Sequence, residues 1–305
     1  MKILVTGASG MVGRNLLADP RAALHQIAHP ARGELDLTDG PATIRYVGEF
    51  EPELIVHLAG LVGGIQANID RPARFLSENL AVGLNVVGAA RAIGAPGLIN
   101  LGSSCMYPRD LDRPLCENLL LSGPLEATNE AYALAKIAVA KLIAAHRREI
   151  PMLKWVTLIA PNLYGRFDHF DLVRSHLLAA AIMKVDAAMR SGENRVEIWG
   201  DGSARREFMF AADLADFIWS AAGRLDELPA MINVGVGADH TVREYYGAVA
   251  VAAGYEGAFV TNLAKPSGMR RKLLDVSAQA AFGWAPATPL QDGVAAALAY
   301  YRSLG

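Results

Sequence analysis

The glycine-rich stretch VTGASGMVG, at residues 5 to 13, directly follows the short apolar run KILVT at residues 2 to 6. A strand that ends in such a turn and continues into a helix is the context in which glycines bind a nucleotide. Gly7 permits a tight turn, Gly10 allows the backbone to approach a pyrophosphate, and Gly13 lets the helix pack on the strand. The pyrophosphate would face the amides and the positive dipole end of that helix, beside Met11 and Val12. The alternative is a glycine turn without a ligand.

Short buried runs alternate with longer helical patterns through the first half of the chain. LIVHLAG (54–60), GLINLGS (97–103) and WVTLIAP (155–161) read as strands, and residues 74–94 and 129–149 read as helices. This alternation predicts an α/β fold, a Rossmann-type doubly wound parallel sheet with helices on both faces.

The rhythm becomes less regular after about residue 163. We therefore expect a nucleotide-binding Rossmann domain over residues 1–163, joined by about residues 207–236. A smaller C-terminal α/β substrate domain would occupy residues 164–305. Because no linker or repeat separates them, the two parts are expected to pack closely. The cofactor contacts expected near the strand ends are Leu58, Ala59, Gly60, Leu101, Gly102, Ser104, Pro161, Asn162 and Leu163.

The turn after the second strand indicates which dinucleotide binds. An NAD site usually offers a carboxylate to the ribose about 20 residues after the glycines, whereas an NADP site favours arginine. Here the turn reads His29-Pro30-Ala31-Arg32, which favours NADP. Asp36 and the adjoining Leu37 are expected near the adenine ring. A solvated surface arginine is the alternative interpretation of Arg32.

Tyr132 and Lys136 are four residues apart in a helical pattern, so both can face one cleft. The spacing predicts that the ammonium lowers the pKa of the phenol and prepares it to exchange a proton with a carbonyl oxygen. Ser103 or Ser104, at the end of the preceding strand, could hydrogen-bond the same oxygen. Two ordinary helix-face residues are the alternative.

Composition excludes several classes of protein. The 305 residues carry 29 basic and 31 acidic side chains, a net charge of −2, so no basic field predicts nucleic acid or an anionic membrane as partner. The apolar runs are too short to span a bilayer, and the apolar stretch within the opening MKILVTGASG is too short for a signal-peptide core. Two cysteines without metal-ligand spacing indicate no metal site and a reducing cytoplasm.

The glycine-rich turn, the serines at the end of the strand at 97–103 and the Tyr132/Lys136 pair together resemble the extended short-chain dehydrogenase/reductase family. Further segments are similar to its GDP-L-fucose synthases, the GDP-4-keto-6-deoxy-D-mannose 3,5-epimerase/4-reductases, over almost the whole chain. These segments are LVGGIQAN (61–68), GSSCMYP (102–108), PLEATNEAYALAKIA (124–138), PNLYG (161–165), RSH (174–176), WGDGSARREF (199–208) and KPSGMRRKLLDVS (265–277).

The resemblance implies a role for a thiol beside the reductase set. A ketone at sugar C4 acidifies the protons on C3 and C5, and inverting each centre needs a base and an acid. Cys105 would be the base, if nearby positive charge favours its thiolate, and His176 would be the acid and also contact the cofactor. Lys136 would in addition bind the nicotinamide ribose. A small buried filler is the alternative for Cys105, and the proposal for His176 rests on the resemblance alone.

The resemblance also implies that Asn162, Lys184, Trp199 and Arg206 bind the GDP-sugar. Lys184 stands where the family often has arginine, and Ser267 replaces an acidic residue. These departures leave open another GDP-4-keto sugar, a deoxyhexose or heptose, as substrate. A non-catalytic NADP-binding protein is a third interpretation, and a homodimer is implied through the helices at 74–94 and 129–149.

Overall fold

The structure, a computed structural model, describes residues 1–171, 175–265 and 269–305. Its strands are β1 (Lys2–Thr6), β2 (Gln26–Ala28), β3 (Leu54–His57), β4 (Gly97–Ser103), β5 (Lys154–Ala160), β6 (Asn162–Tyr164), β7 (Arg195–Trp199), β8 (Arg205–Arg206), β9 (Phe208–Phe210), β10 (Met231–Asn233), β11 (His240–Thr241), β12 (Ala258–Asn262) and β13 (Arg271–Lys272). Its α-helices are α1 (Met11–Ala18), α2 (Gly40–Phe50), α3 (Ile65–Asp70), α4 (Pro72–Ala92), α5 (Glu130–Glu149), α6 (Leu177–Ser191), α7 (Ala211–Ala222), α8 (Val242–Ala253), α9 (Ser277–Ala281) and α10 (Leu290–Arg302).

Six of these strands form one parallel sheet in the order β10-β5-β4-β3-β1-β2. The chain passes from β1 to β2 on one side and then returns to place β3 on the other side of β1. This reversal makes a crevice outside the carboxyl ends of β1 and β3, where doubly wound folds bind ligands. The predicted fold class is confirmed.

Alternate residues of β1 pack into two different cores, as the two-residue period of a strand requires. Ile3 and Val5 face a cluster with α1 and α7, while Leu4 faces α2, α4 and α5. Such two-sided burial explains why the strand sequences are continuous apolar runs.

The remaining elements build a second core from α6, α8 and α10 with the paired strands β7 and β12. Two further small sheets have the strand orders β11-β8-β13 and β6-β9. α7 and β10 return to the large sheet. The proposed division into residues 1–163 with about 207–236, and 164–305, stays a prediction.

No helix among the described residues is both long and apolar enough to cross a membrane.

Candidate active site

One cavity of about 1500 Å³ opens at the carboxyl ends of the large sheet and extends to the second core. It is lined by all but one of the residues predicted for the site: Gly7, Gly10, Met11, Val12, Gly13, Arg32, Asp36, Leu37, Leu58, Ala59, Gly60, Leu101, Gly102, Ser103, Cys105, Tyr132, Lys136, Pro161, Asn162, Leu163, His176, Lys184, Trp199 and Arg206. Ser104 is the exception. It is buried within a short 3₁₀ helix over Ser104–Met106 and does not line the cavity.

The glycine turn is shaped by close backbone contacts. Gly7 has φ +73°, and a Cβ there would lie 2.5 Å from the amide nitrogen of Ala59. A Cβ on Gly13 would lie 2.5 Å from the Cα of Ala8. Gly10, just before α1, has only one backbone atom within 4 Å of its notional Cβ. The turn therefore presents backbone without side chains, and the N-terminus of α1, to the cavity. Both features suit the binding of a pyrophosphate.

Arg32 and Asp36 lie exposed where the cavity reaches the surface. The backbone amide and the hydroxyl of Thr38 donate hydrogen bonds of 2.9 and 2.8 Å to Asp36. These bonds, with the nearby charge of Arg32, hold the pKa of Asp36 below its ordinary value. Asp36 is thus fixed as an anion on the local turn, while Arg32 is a cation that a ribose 2′-phosphate could engage.

Ser103, Tyr132 and Lys136 meet where β4 ends and α5 begins. The Ser103 hydroxyl lies beside the Tyr132 phenol and favours its ionised form. The ammonium of Lys136 donates to the carbonyl oxygen of Leu101 at 2.9 Å and lies 5.9 Å from the Tyr132 ring centroid. The phenol and the ammonium therefore share one end of the cavity, as the spacing predicts.

Burial, and not the charge of Lys136, determines the direction in which the pKa of the Tyr132 phenol shifts. Desolvation raises the pKa of Tyr132, the charge of Cys105 acts in the same direction, and the hydrogen bond from Ser103 only partly opposes them. Desolvation also lowers the pKa of Lys136 to about 8. Spacing along a helix does not reveal desolvation, so sequence reasoning predicted the direction for Tyr132 wrongly.

Cys105 is half-buried and has two polar neighbours that the sequence did not reveal. Asn129 Nδ2 donates a hydrogen bond of 3.2 Å to its sulfur, and Lys272 Nζ lies 3.8 Å from the same atom. Asn129 stands just before α5, so its proximity to Tyr132 in sequence was a usable signal. Lys272 is 167 residues away from Cys105, and no local pattern connects the two.

His176 immediately precedes α6 and reaches the cavity surface. It is open to the solvent in the cavity but surrounded by protein, and this desolvation lowers the pKa of its imidazole. A neutral imidazole is therefore favoured near neutral pH. Arg174 of the RSH segment lies outside the described residues.

The far end of the cavity combines an exposed indole with cations. The ammonium groups of Lys184 and Lys265 lie 5.3 and 5.2 Å from the ring centroid of Trp199, within cation–π range. Trp199 is 48% exposed, so its ring remains available to a planar base. Arg206 also lines this region; burial lowers its pKa, and the charge of Glu126 opposes that effect.

Asn162 of β6 lines the cavity. Its Nδ2 donates a hydrogen bond of 3.2 Å to the carbonyl oxygen of Glu207. Ser267 lies outside the described residues.

Comparison with known proteins places this arrangement among related chains. A model of the NAD dependent epimerase/dehydratase family matches residues 3–235. The chain is 47% identical over 301 residues to a GDP-L-colitose synthase of Yersinia pseudotuberculosis, covering 99% of this chain and 98% of that one. It is also 47% identical over 300 residues to a GDP-L-fucose synthase of Azorhizobium caulinodans, covering 98% and 96%. The solved structure of a GDP-mannoheptose C4 reductase from Campylobacter jejuni with NADP bound is 29% identical, with TM-score 0.89 over 99% of this chain and 98% of that one.

Proposed function

This chain belongs to the NAD-dependent epimerase/dehydratase family, and we propose that it converts GDP-4-keto-6-deoxy-D-mannose to GDP-L-fucose by 3,5-epimerisation and NADPH-dependent 4-keto reduction. One observation carries the proposal. A single cavity holds the glycine turn, the Ser103, Tyr132 and Lys136 set, and a thiol with an imidazole. Plain ketone reduction needs no thiol, whereas inversion beside a ketone needs a base and an acid.

The residues present fit NADP(H), which supplies the hydride delivered to sugar C4. The cleared turn at Gly7, Gly10 and Gly13 accommodates a pyrophosphate, and Arg32 offers a cation to a 2′-phosphate. Lys136, whose ammonium already donates to Leu101, is within the same cavity to bind the nicotinamide ribose. NADP in the related C. jejuni reductase agrees with this assignment.

Epimerisation is assigned to Cys105 and His176. The Cys105 thiolate removes a proton from C3 or C5, which leaves an enolate whose negative charge is on the C4 oxygen. His176 first takes up a proton and, as an imidazolium made more acidic by its lowered pKa, returns it to the same carbon from the opposite face, inverting the centre. Hydrogen bonds from Ser103 and Tyr132 and the charge of Lys136 stabilise the enolate oxygen.

Reduction follows at the same carbonyl. Tyr132, whose pKa is raised by burial, retains its proton at neutral pH and donates it to the C4 oxygen as hydride arrives. Because the phenol is protonated at neutral pH, Tyr132 can serve as the proton donor in the direction of reduction.

The GDP moiety is assigned to the far end of the cavity. Trp199 would stack on the guanine, while Lys184 and Arg206 would neutralise the diphosphate. Asn162 would contact the diphosphate near the cofactor.

The same chemistry on another GDP-4-keto sugar is the second candidate. The identity of 47% to the colitose synthase equals that to the fucose synthase, and a structural relative is named for a mannoheptose. Overall identity therefore does not separate the sugars. A purely NADP-binding protein is disfavoured by the thiol, phenol, ammonium and imidazole gathered in one cavity.

The test follows the absorbance of NADPH with GDP-4-keto-6-deoxy-D-mannose and identifies products by NMR, with a Cys105→Ser variant alongside. We expect GDP-L-fucose from the wild type and a product without inversion, or no turnover, from the variant. Faster turnover of another GDP-4-keto sugar would select the second candidate. Normal inversion by Cys105→Ser would overturn the role of the thiol.

We also infer a homodimer that pairs through α4 and α5. Leu84 on α4 and Leu134 on α5 are large apolar residues that this chain leaves exposed. The two cysteines are free in the structure, which agrees with the cytoplasm as the site of action.

A further inference from the structure

Cys105, the proposed base, needs a nearby positive charge to favour its thiolate form. A thiol must lose its proton before it can remove one from carbon, and a free thiol titrates near pH ~8.5. A cation held beside the sulfur would favour the thiolate at neutral pH. The Ser, Tyr and Lys set does not supply that cation, because the Lys136 ammonium donates its hydrogen bond to the carbonyl oxygen of Leu101 and not to the sulfur.

We propose that Lys272 is the counter-ion that keeps Cys105 a thiolate, and that Asn129 positions the sulfur by donating a hydrogen bond to it. The inference rests on the proposed function, since it explains how the epimerising base is activated. It assigns Lys272 and Asn129 as positioning residues.

The contacts around the sulfur support this assignment. Lys272 Nζ approaches from β13 at 3.8 Å, and Asn129 Nδ2 approaches from the start of α5 at 3.2 Å. Tyr132 of α5 is a further titratable group whose pKa is affected by the charge of Cys105. Among the described residues, no carboxylate lies within ion-pair distance of the Lys272 ammonium. Its charge is therefore directed to the sulfur and not neutralised by an acidic side chain.

The side chain of Asn129 contacts Cys105 and does not cap the helix that it precedes. An asparagine that precedes a helix usually caps it by accepting a hydrogen bond from a backbone amide. Asn129 precedes α5, yet its side chain makes no capping bond. Its Nδ2 donates to Cys105, and its buried Oδ1 has no hydrogen-bond partner among the described residues. α5 therefore lacks the stabilisation of a side-chain cap, while the Asn129 amide donates a hydrogen bond to the Cys105 sulfur.

Lys272 is held in place by its backbone. β13 pairs with β8 so that Lys272 lies opposite Arg206, and the amide of Leu274 donates to buried Glu207 at 2.8 Å. Arg206 and Lys272 both line the cavity. The pair β8 and β13 therefore carries both Arg206, which is proposed to bind the diphosphate, and Lys272, whose ammonium lies beside the thiol.

The test measures thiolate directly, without any sugar, by the rate of alkylation with iodoacetamide across pH. A Cys116→Ser background leaves Cys105 as the single thiol, because the chain has two cysteines. We expect Lys272→Met to move the midpoint of the rate profile up by about one pH unit, which is about tenfold less thiolate below the midpoint. Rates should converge at high pH, where every thiol is ionised.

Three further variants sharpen the result. Lys272→Arg keeps the charge and should retain most of the shift. Asn129→Asp places an anion at the sulfur and should move the midpoint upward. Arg270→Met removes an exposed charge close in sequence that does not line the main cavity, and it should leave the profile unchanged.

An unchanged midpoint in Lys272→Met, or a rate lowered equally at every pH, would overturn the proposal. A second readout is deuterium exchange from solvent into C3 and C5 of GDP-4-keto-6-deoxy-D-mannose. Lys272→Met should exchange several-fold more slowly at neutral pH and recover as pH rises. A wild type that alkylates as expected but processes no such sugar refutes the proposed function and not the role of Lys272.

Discussion

Lys136 carries a positive charge into a place where charge is unfavourable. The residue is only 7% exposed, and desolvation lowers its pKa from 10.5 to about 8. Below pH 8 the folded protein bears the full cost of a buried ammonium. That cost falls as pH rises from about 8 and disappears above about 10.5, where the residue is neutral in both states.

We therefore predict that Lys136→Met abolishes reduction yet stabilises the protein without cofactor at pH 7. The gain in unfolding free energy should be about 1–3 kcal/mol, because loss of the hydrogen bond to Leu101 offsets part of the desolvation. Urea denaturation at pH 7 and pH 10 measures it. A gain that is equal at both pH values would contradict the buried-charge explanation.

Gly13 tests the glycine turn at the same scale. A Cβ there would approach the Cα of Ala8 at 2.5 Å and the carbonyl oxygen of Gly7 at 2.6 Å. Backbone atoms cannot rotate away, so Gly13→Ala should cost about 1–3 kcal/mol and weaken NADPH binding at least tenfold. Fluorescence titration with NADPH measures the binding.

Gly247→Ala is the matched control. Gly247 lies inside α8, and nothing lies within 4 Å of its notional Cβ. This change should stabilise the protein by about 0.5–1 kcal/mol through helix propensity and leave NADPH affinity unaltered. Equal effects of the two substitutions would argue against the steric explanation.

The residues of the candidate site differ in whether neighbouring residues in the sequence were enough to predict them. Tyr132 and Lys136 follow from one helical turn, and Ser103 and Cys105 from one strand end. The proximity of Lys272 to Cys105 depends on tertiary packing, so sequence spacing could not predict it. Burial of Tyr132 is equally a property of the folded cavity.

Among the elements, the small sheet β11-β8-β13 is held together by one buried carboxylate. Asp239 accepts hydrogen bonds from Arg205 of β8 and Arg271 of β13. Burial opposes ionisation, but these bonds hold the pKa of Asp239 below its ordinary value of 3.8. The stabilisation is therefore present above pH 3.8 and is lost as pH falls below it.

We predict that Asp239→Asn lowers the unfolding free energy by about 1–3 kcal/mol, less than for a fully buried pair because both arginines are partly exposed. Since β13 carries Lys272, the variant should also slow alkylation of Cys105. Urea denaturation at pH 7 and pH 3 provides the test, and the deficit should shrink at the lower pH. Asp226→Asn, which breaks an exposed pair with Lys154, should leave the urea midpoint close to that of the wild type.

Sequence periodicity located the elements of the large sheet well. β1 and β4 match the predicted bounds, β5 is shifted by one residue, and α5 begins one residue later. The run predicted at 54–60 ends as a strand at His57, and its last three residues line the cavity. Two-residue strands such as β8 and β13 have no period to detect, because distant pairing creates them.

For the whole molecule, the proposed dimer gives the clearest prediction. Charged groups in an apolar interface are strongly unfavourable, so a Leu84→Glu, Leu134→Glu double variant should be monomeric. Light scattering after size-exclusion chromatography measures the mass. Val251→Glu, on the exposed face of α8, should leave the wild-type mass unchanged. A monomeric wild type, or a double variant that stays dimeric, would contradict the assignment.

The return of α7 and β10 to the large sheet limits how this chain can exchange parts with its relatives. A crossover after residue 163 would exchange the second core, to which sugar binding is assigned, and also β10, the edge strand of the large sheet. A hybrid that keeps the large sheet of this chain intact must therefore take the foreign sequence as two inserts on either side of residues 211–233. Because Cys105 and Lys272 lie on opposite sides of that boundary, the thiol and its cation would have to be inherited as a matched pair.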